Sequence, residues 1–515
     1  MTPPLTLTSL QSARYAIPEI ALSLAALLVL AWDLFAKSRA RRTGIFVLAL
    51  GALAVAAFAD ARELAVAPHF PLPAVLFDGQ LTCDTYACAF RLFFAIVTAF
   101  VIVAAIPTRE AARGADQSAL GETIALLLVV CLGMSLMAMA RTLLLVYLAT
   151  EIVSVLSFVL TGFRAGDGKS HEAALKYVVY GGVASGVMLY GMSWIYGMSR
   201  SLALAEIAER VAAMTREQGH LPNAFVIGAA CVTAGFAYKI AAAPFHMWAP
   251  DVYEGAPTLV AAFLSVGPKA AGFALLVRFF REAFGAQAAT AEPRAAWAIL
   301  AGSLAIATMT IGNLSALAQT NMKRLLAYSS IAHAGTMLLA FAAFDDEGVA
   351  AIAFYLVAYC AMNLGAFLVV LAIGEASGGD ETLGAFRGLG TRAPAMAATM
   401  AIFLVSLVGL PPFAGFVGKL YVLVALLRAP GDYHGWYWFL ACAGVVNTAV
   451  SLFYYARVLR AMYLEDAPAR ATARVSVRKL HAAMALILAV PTVVLGLWWG
   501  PLYDFISQRV AVTPP

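Results

Sequence analysis

Charge is what this sequence has least of. Only 12% of its 515 residues are Asp, Glu, Lys or Arg, while 62% are hydrophobic; a soluble globular chain carries roughly 25% charged residues. Losing half the usual solvating charge excludes a pair of soluble domains and a disordered chain. The balance of 34 Lys+Arg against 29 Asp+Glu, a net +5, is too small for a nucleic-acid-binding surface. Cysteine is scarce too. The six (Cys83, Cys88, Cys131, Cys231, Cys360, Cys442) form no C-x-x-C pair, which removes support for an Fe–S cluster or zinc site and excludes a disulfide-rich scaffold. No G-x-G-x-x-G occurs, so the chain carries no nucleotide redox chemistry of its own. Gly168-Lys169-Ser170 resembles the end of a phosphate-binding loop, but the upstream glycine position holds Phe163 and no strand precedes it.

What the chain has instead is long apolar blocks. Residues 20–31, 124–140 and 484–498 contain no charge, and a helix needs ~20 mostly apolar residues to cross a bilayer. Fourteen spans are predicted, near 17–35, 44–61, 88–106, 120–140, 142–163, 172–197, 224–243, 258–281, 295–317, 324–343, 349–374, 395–427, 436–462 and 479–499; they are numbered 1 to 14 below. Span 1 is not a cleavable signal peptide, because its apolar run exceeds the usual ~7–15 residues and a basic loop follows it. The chain is expected to be an all-α, polytopic membrane protein. Cys83 and Cys88, between spans 2 and 3, are either a disulfide pair or unrelated small residues.

Basic residues set the expected orientation. The loop 37–42 (KSRARR), the stretch 457–479 and the pairs Arg109/Arg113, Arg164/Lys169, Lys323/Arg324 and Arg387/Arg392 place 18 Lys and Arg on one side of the membrane. The other side holds 12 and carries the acidic turn Asp345-Asp346-Glu347. Both termini are therefore expected on the periplasmic side.

Four basic residues belong to neither side. Lys176, Lys239, Lys269 and Lys419 lie inside predicted spans, and Glu151 lies in the middle of span 5. A charge at mid-bilayer costs ~2.5–3.5 kcal/mol on insertion scales, so such groups face protein or a wet cavity and are functional candidates. Lys176 is near a span end, and reaching to the interface is its alternative reading; the same reading applies less readily to Lys239 and Lys419. A low-dielectric site disfavours a charged lysine and a nearby carboxylate favours it. A lysine between those influences can take up and release a proton, so the composition points to proton transfer. His246, Asp251 and Glu254 could ligate a metal in principle, but their spacing matches no zinc pattern, and polar capping of a broken helix explains them better; no metal is expected.

Proline carries a second message. Span 7 is interrupted at Ala243-Pro244-Phe245 and span 12 at Pro411-Pro412-Phe413. Irregular backbone at membrane depth is tolerated only where protein buries it or where it lines a cavity, and broken helices in matching places of two halves point to an ion path. An offset of five spans implies two inverted five-helix repeats. The expected organisation is residues 1–119 (three leading spans), 120–281 (first repeat, spans 4–8), 282–462 (second, inverted repeat, spans 9–13) and 463–515 (final span and tail).

The stretches GETIALLLVVCLGMSLMAMARTLLLVYLATEIVSVLSFVL, EAALKYVVYGGVASGVMLYG, AAAPFHMWAPDVYEGAPTLVAAFLSVGPKAAGF, NLSALAQTNMKRLLAYSSIAHAGTM, YCAMNLGAF and LVSLVGLPPFAGFVGKLYVL sample residues 121–423. In them the chain resembles the antiporter-like membrane subunits of respiratory complex I, the bacterial proton-translocating NADH:quinone oxidoreductase. Within that family PDVYEGAPT, Lys269 and the early end after span 14 are most similar to the subunit N branch. The resemblance implies that Glu151 pairs with Lys239 of broken span 7, that Lys269 is a central relay and that Lys419 of broken span 12 passes the proton outward. Lys176 would support the pair, and His333 in SSIAHAG either hydrates the path or is a packed, hydrogen-bonded histidine.

It further implies no cofactor in this chain. FMN, Fe–S clusters and the quinone site would reside in partner subunits, with other membrane subunits, including a neighbouring antiporter-like one, and lipids as neighbours in a bacterial inner membrane. A subunit of a multisubunit cation/proton antiporter is the nearest alternative; a purely structural scaffold and a self-contained enzyme using His246, Asp251 and Glu254 are the others.

Overall fold

The computed structural model describes residues 5–6, 9–36, 38–66, 74–106, 119–164, 166–284, 291–429, 433–467 and 475–510. Lys37, Arg109, Arg113, Arg470, Arg474 and both chain ends, all used in the orientation argument, lie outside these residues. The fold is an all-α membrane bundle. Among the described residues, twelve continuous helices are long and apolar enough to cross a bilayer, and they coincide with spans 1–6, 8–11, 13 and 14. The other two spans are the broken ones. Span 7 runs Asn223–Lys239, unwinds, and resumes as Trp248–Gly255; span 12 is Pro394–Val408 followed by Ala414–Arg428. One bound needs correction: the first half of span 7 ends at Lys239, four residues short of the expected 243, because a proline ring cannot follow a helical turn without displacing the carbonyl four residues back. The interruption expected in span 12 at Pro411-Pro412-Phe413 is present.

Side chains close the helix starts. Thr142 accepts from Leu145 N, Asp84 from Ala87 N, Asn321 from Lys323 N and Asp345 from Gly348 N, each satisfying an amide that the helix cannot pair itself. Within span 5, Leu143–Thr161, the hydroxyls of Thr150, Ser154, Ser157 and Thr161 all donate to the carbonyl one turn back, which hides four polar groups from the bilayer. Span 8, Thr258–Phe284, is the axis of the molecule, with its most apolar stretch wholly buried. Lys269 sits in that axis.

Several short elements outside the spans were not anticipated. An amphipathic helix, Leu204–Gln218, turns Leu204, Ile207, Ala208 and Val211 inward. A small sheet joins Leu5–Thr6, Ala74–Leu76 and Leu81–Cys83, and a short helix, Gly500–Arg509, follows span 14. Cys83 and Cys88 are buried free thiols with sulfurs 3.5 Å apart.

Candidate functional site

The buried lysines form a ladder through the middle of the bundle. Lys239, the last residue of the first half of span 7, is 3% exposed and donates from Nζ to Ser154 Oγ at 3.0 Å. Ser154 can accept because its own proton is committed to Thr150 O at 2.8 Å. Ser154 lies three residues beyond Glu151, on the same face of span 5. Glu151 itself is half-buried and accepts from Ser185 Oγ of span 6. The direct Glu151–Lys239 pair implied by the resemblance is therefore not closed here. Each member is held by a serine instead.

The next step is span 8. The stem of Lys239 rests against Gly272, where a Cβ would meet Lys239 Cγ at 3.3 Å, and Gly272 is three residues from Lys269 on the same helix. Lys269 is 1% exposed and donates to Ser330 O at 2.8 Å and to Ser330 Oγ. Ser330 and His333 share a face of span 10, Met322–Ala342. His333 is buried, with Nδ1 at 2.7 Å from Tyr355 OH and Nε2 at 3.2 Å from Tyr455 OH, which also bonds Ser329. His333 lies within electrostatic reach of both Lys269 and Lys419. A small polar cavity lined by His333, Lys419, Asn313, Asn447, Thr336 and Tyr454 joins the last two members.

Lys419 stands in the second half of span 12, and its Nζ bonds Val408 O at 2.8 Å, with Leu407 O at 3.4 Å. Those carbonyls end the first half-helix and have no intrahelical partner; the partial negative charge of a helix C-terminus attracts the ammonium. The two breaks thus bring backbone acceptors and lysines together at membrane depth.

Lys176 is placed elsewhere. It bonds Asp251 at 2.7 Å and Glu172 at 2.8 Å, with a side chain 40% exposed, so it reaches to the end of the bundle and does not support the Glu151–Lys239 pair. Asp251 also meets Arg324 at 2.6 Å, and Glu254 meets Arg324 at 3.0 Å and Lys169 at 3.1 Å. Both carboxylates are thereby spent on cations. Among the described residues no group of three or more His, Cys, Asp or Glu is arranged for a metal, and the role foreseen for Asp251 and Glu254 as helix caps is replaced by an ion-pair network. Lys323 bonds Ala256 O at 3.0 Å and Glu381 at 2.9 Å, fastening span 10 to the residues between spans 7 and 8. Sequence reasoning missed Ser154, Ser185, Ser330, Tyr355 and Tyr455. The available signal was a hydroxyl three residues from two titratable side chains, Ser154 after Glu151 and Ser330 before His333.

Fold and site together define a class: a polytopic membrane subunit with two broken helices and an internal row of lysines. The transmembrane family of NADH:quinone oxidoreductase and Mrp antiporter subunits matches residues 140–451, the part that contains every lysine of the row. The chain is 55% identical over 512 residues to NADH-quinone oxidoreductase subunit N 2 of Sorangium cellulosum, covering 99% of each. It is 46% identical over 516 residues to subunit N of Anaeromyxobacter sp., covering 97% of this chain and 96% of that one. A chain of respiratory complex I from Thermus thermophilus has the same fold, with TM-score 0.75 and 29% identity over 96% of this chain and 100% of that one. The Mrp complex of Dietzia sp. matches in fold alone, with TM-score 0.79 and 22% identity over 98% and 97% of the two chains. The chain belongs to this family of antiporter-like membrane subunits, in the branch of subunit N of NADH-quinone oxidoreductase.

Proposed function

We propose that the chain translocates protons as an antiporter-like subunit of a proton-pumping NADH:quinone oxidoreductase in a bacterial inner membrane. The observation that carries this reading is the row Glu151, Lys239, Lys269, His333, Lys419, in which successive members share a helix face, a serine or a cavity. Lys239, Lys269 and Lys419 take up and release the proton in turn; Ser154, Ser330 and the tyrosines around His333 supply the bonds between stations. Glu151 governs Lys239 through space. Moving the carboxylate toward or away from the ammonium alters how readily Lys239 holds its proton, and the serines that now hold the two apart make the open arrangement a defined state.

Residues 120–281 and 282–462 act in this reading as two inverted repeats, each contributing one broken helix, with 1–119 and 463–515 flanking them. FMN, Fe–S clusters and quinone belong to partner subunits, and quinone reduction there drives the charge movement here. A half-buried Glu151 in the middle of a span needs protein on its open side, which suits a neighbouring membrane subunit. The cation/proton antiporter reading shares the fold, but the high-identity relatives carry the subunit N name and favour the first.

The test is replacement of Glu151 and Lys239 by Ala, singly and together, in the assembled complex. Each single variant should lower quinone-coupled proton uptake by roughly 10²-fold or more, the scale of a lost proton-transfer group. The double variant should be no worse than the worse single, because members of one unit are not additive. Glu151→Asp should retain partial activity. Near-normal pumping by fully assembled Glu151→Ala would make the carboxylate structural and end the pair mechanism.

A further inference from the structure

The three leading spans, which the lysine row does not use, bury a second charged group. Arg91, fully enclosed near the start of span 3, approaches Glu19 of span 1 at 3.2 Å and Asp60 of span 2 at 3.0 Å. Its remaining contacts are neutral: Tyr15 O at 3.3 Å, Met139 Sδ at 3.6 Å and Cys83 Sγ at 3.8 Å. All three charged side chains are buried. Glu19 is near the start of Ile17–Phe35, Asp60 near the end of Ser38–Val66 and Arg91 near the start of Thr85–Ala105. The cluster therefore lies at the end of the bundle opposite the basic loop 37–42.

The charge count decides what such a group must do. One guanidinium faces two carboxylates, so the fully ionised cluster would leave one uncompensated negative charge in an apolar interior, which is strongly disfavoured. Two carboxyls facing one guanidinium in an enclosed site are relieved when the pair as a whole binds one proton. The hydrogen bonding agrees: both oxygens of Glu19 and both of Asp60 are buried without an aligned hydrogen-bond donor, despite the short approaches to Arg91. The surrounding titratable groups add no second cation at contact. Glu63 lies one turn beyond Asp60, Arg14 and Tyr15 come from the preceding helix, and the thiols of Cys83, Cys88 and Cys131 face the cluster from the sheet and from spans 3 and 4.

We propose that Glu19, Asp60 and Arg91 form a proton-binding site, separate from the lysine row, whose two carboxyls hold one exchangeable proton between them. The site needs no partner subunit to be complete, and it stands whether or not the lysine row carries protons.

Infrared difference spectroscopy on the assembled complex tests this directly, comparing the wild type with Asp60→Asn and with Glu19→Gln. In the wild type the cluster holds one carboxylic acid and one carboxylate. Removing either carboxyl leaves a single carboxylate paired with Arg91, so both variants should lose the same deuterium-sensitive C=O stretch of an acid and keep the carboxylate bands. Loss of a carboxylate band without loss of an acid band, in both variants, would mean that both groups were ionised and would overturn the proposal. Failure of both variants to assemble would overturn it as well, because a site that already holds a proton tolerates its neutral isostere at one of the two positions.

Discussion

At the scale of single residues, serine oxygens hold two of the buried lysines. Ser154 donates backward to Thr150 O and accepts from Lys239, which makes it the fixed acceptor of that ammonium. Ser154→Ala should leave span 5 intact, since alanine favours a helix, while removing a bond to a charged donor worth ~1.5–3 kcal/mol. With ~1.4 kcal/mol per factor of ten, quinone-coupled proton uptake by the assembled complex should fall roughly 10- to 100-fold. Unchanged uptake would show that Lys239 finds another acceptor and that Ser154 only fills space. The placement of Lys239, Lys269 and Lys419 inside the bundle was legible in the sequence, because a charge inside an apolar run has no cheap explanation. Their partners were not legible. Ser154 is 85 positions from Lys239, and Ser330 is 61 from Lys269; only tertiary packing brings them together. Lys176 shows the converse, a charge inside an apolar run whose partner, Asp251, draws it to the end of the bundle.

At the scale of elements, the breaks are what separate this molecule from an ordinary bundle. Prolines announced both, and periodicity could not say where the helices resume. Nor could it foresee the Leu204–Gln218 helix, too polar to count as a span, or strands of two and three residues. The span 12 break depends on Gly409, whose φ of +86° lies in the left-handed region. A Cβ there would stand 2.7 Å from Lys419 Cδ. Gly409→Ala should therefore cost ~1–2 kcal/mol in backbone conformation and push the lysine stem off the Val408 carbonyl. The expected result is an assembled complex with strongly reduced pumping. Gly435→Ala, at a site with open space around the added carbon, should pump normally. Equal behaviour of the two variants would show that Lys419 does not depend on the shape of the break.

At the scale of the whole molecule, contacts between loops test the fourteen-span count. If the chain crosses fourteen times, the loops fall alternately into two sets at opposite ends. The set containing the 5–6, 7–8, 9–10, 11–12 and 13–14 connections is tied internally by Lys169–Glu254, Arg324–Asp251, Lys323–Glu381 and Arg387–Glu465. The other set is tied by Arg278–Asp84, Arg141–Glu282 and Arg428–Glu347, which join the 2–3, 4–5, 8–9, 10–11 and 12–13 connections. Each of these pairs stays within its own set, as an alternating chain requires; miscounting by one span anywhere would place partners at opposite ends of the bundle. Parity says which loops go together, and the excess of Lys and Arg in the first set is the ground for expecting that end in the cytoplasm. On that expectation the helix Gly500–Arg509, beyond span 14, would face the periplasm. A cysteine placed at the exposed Ser507 should react with a membrane-impermeant maleimide added to intact cells, above the labelling of the parent chain. Reaction only in inside-out vesicles would invert the molecule, and with it the direction of the proton release proposed for Lys419.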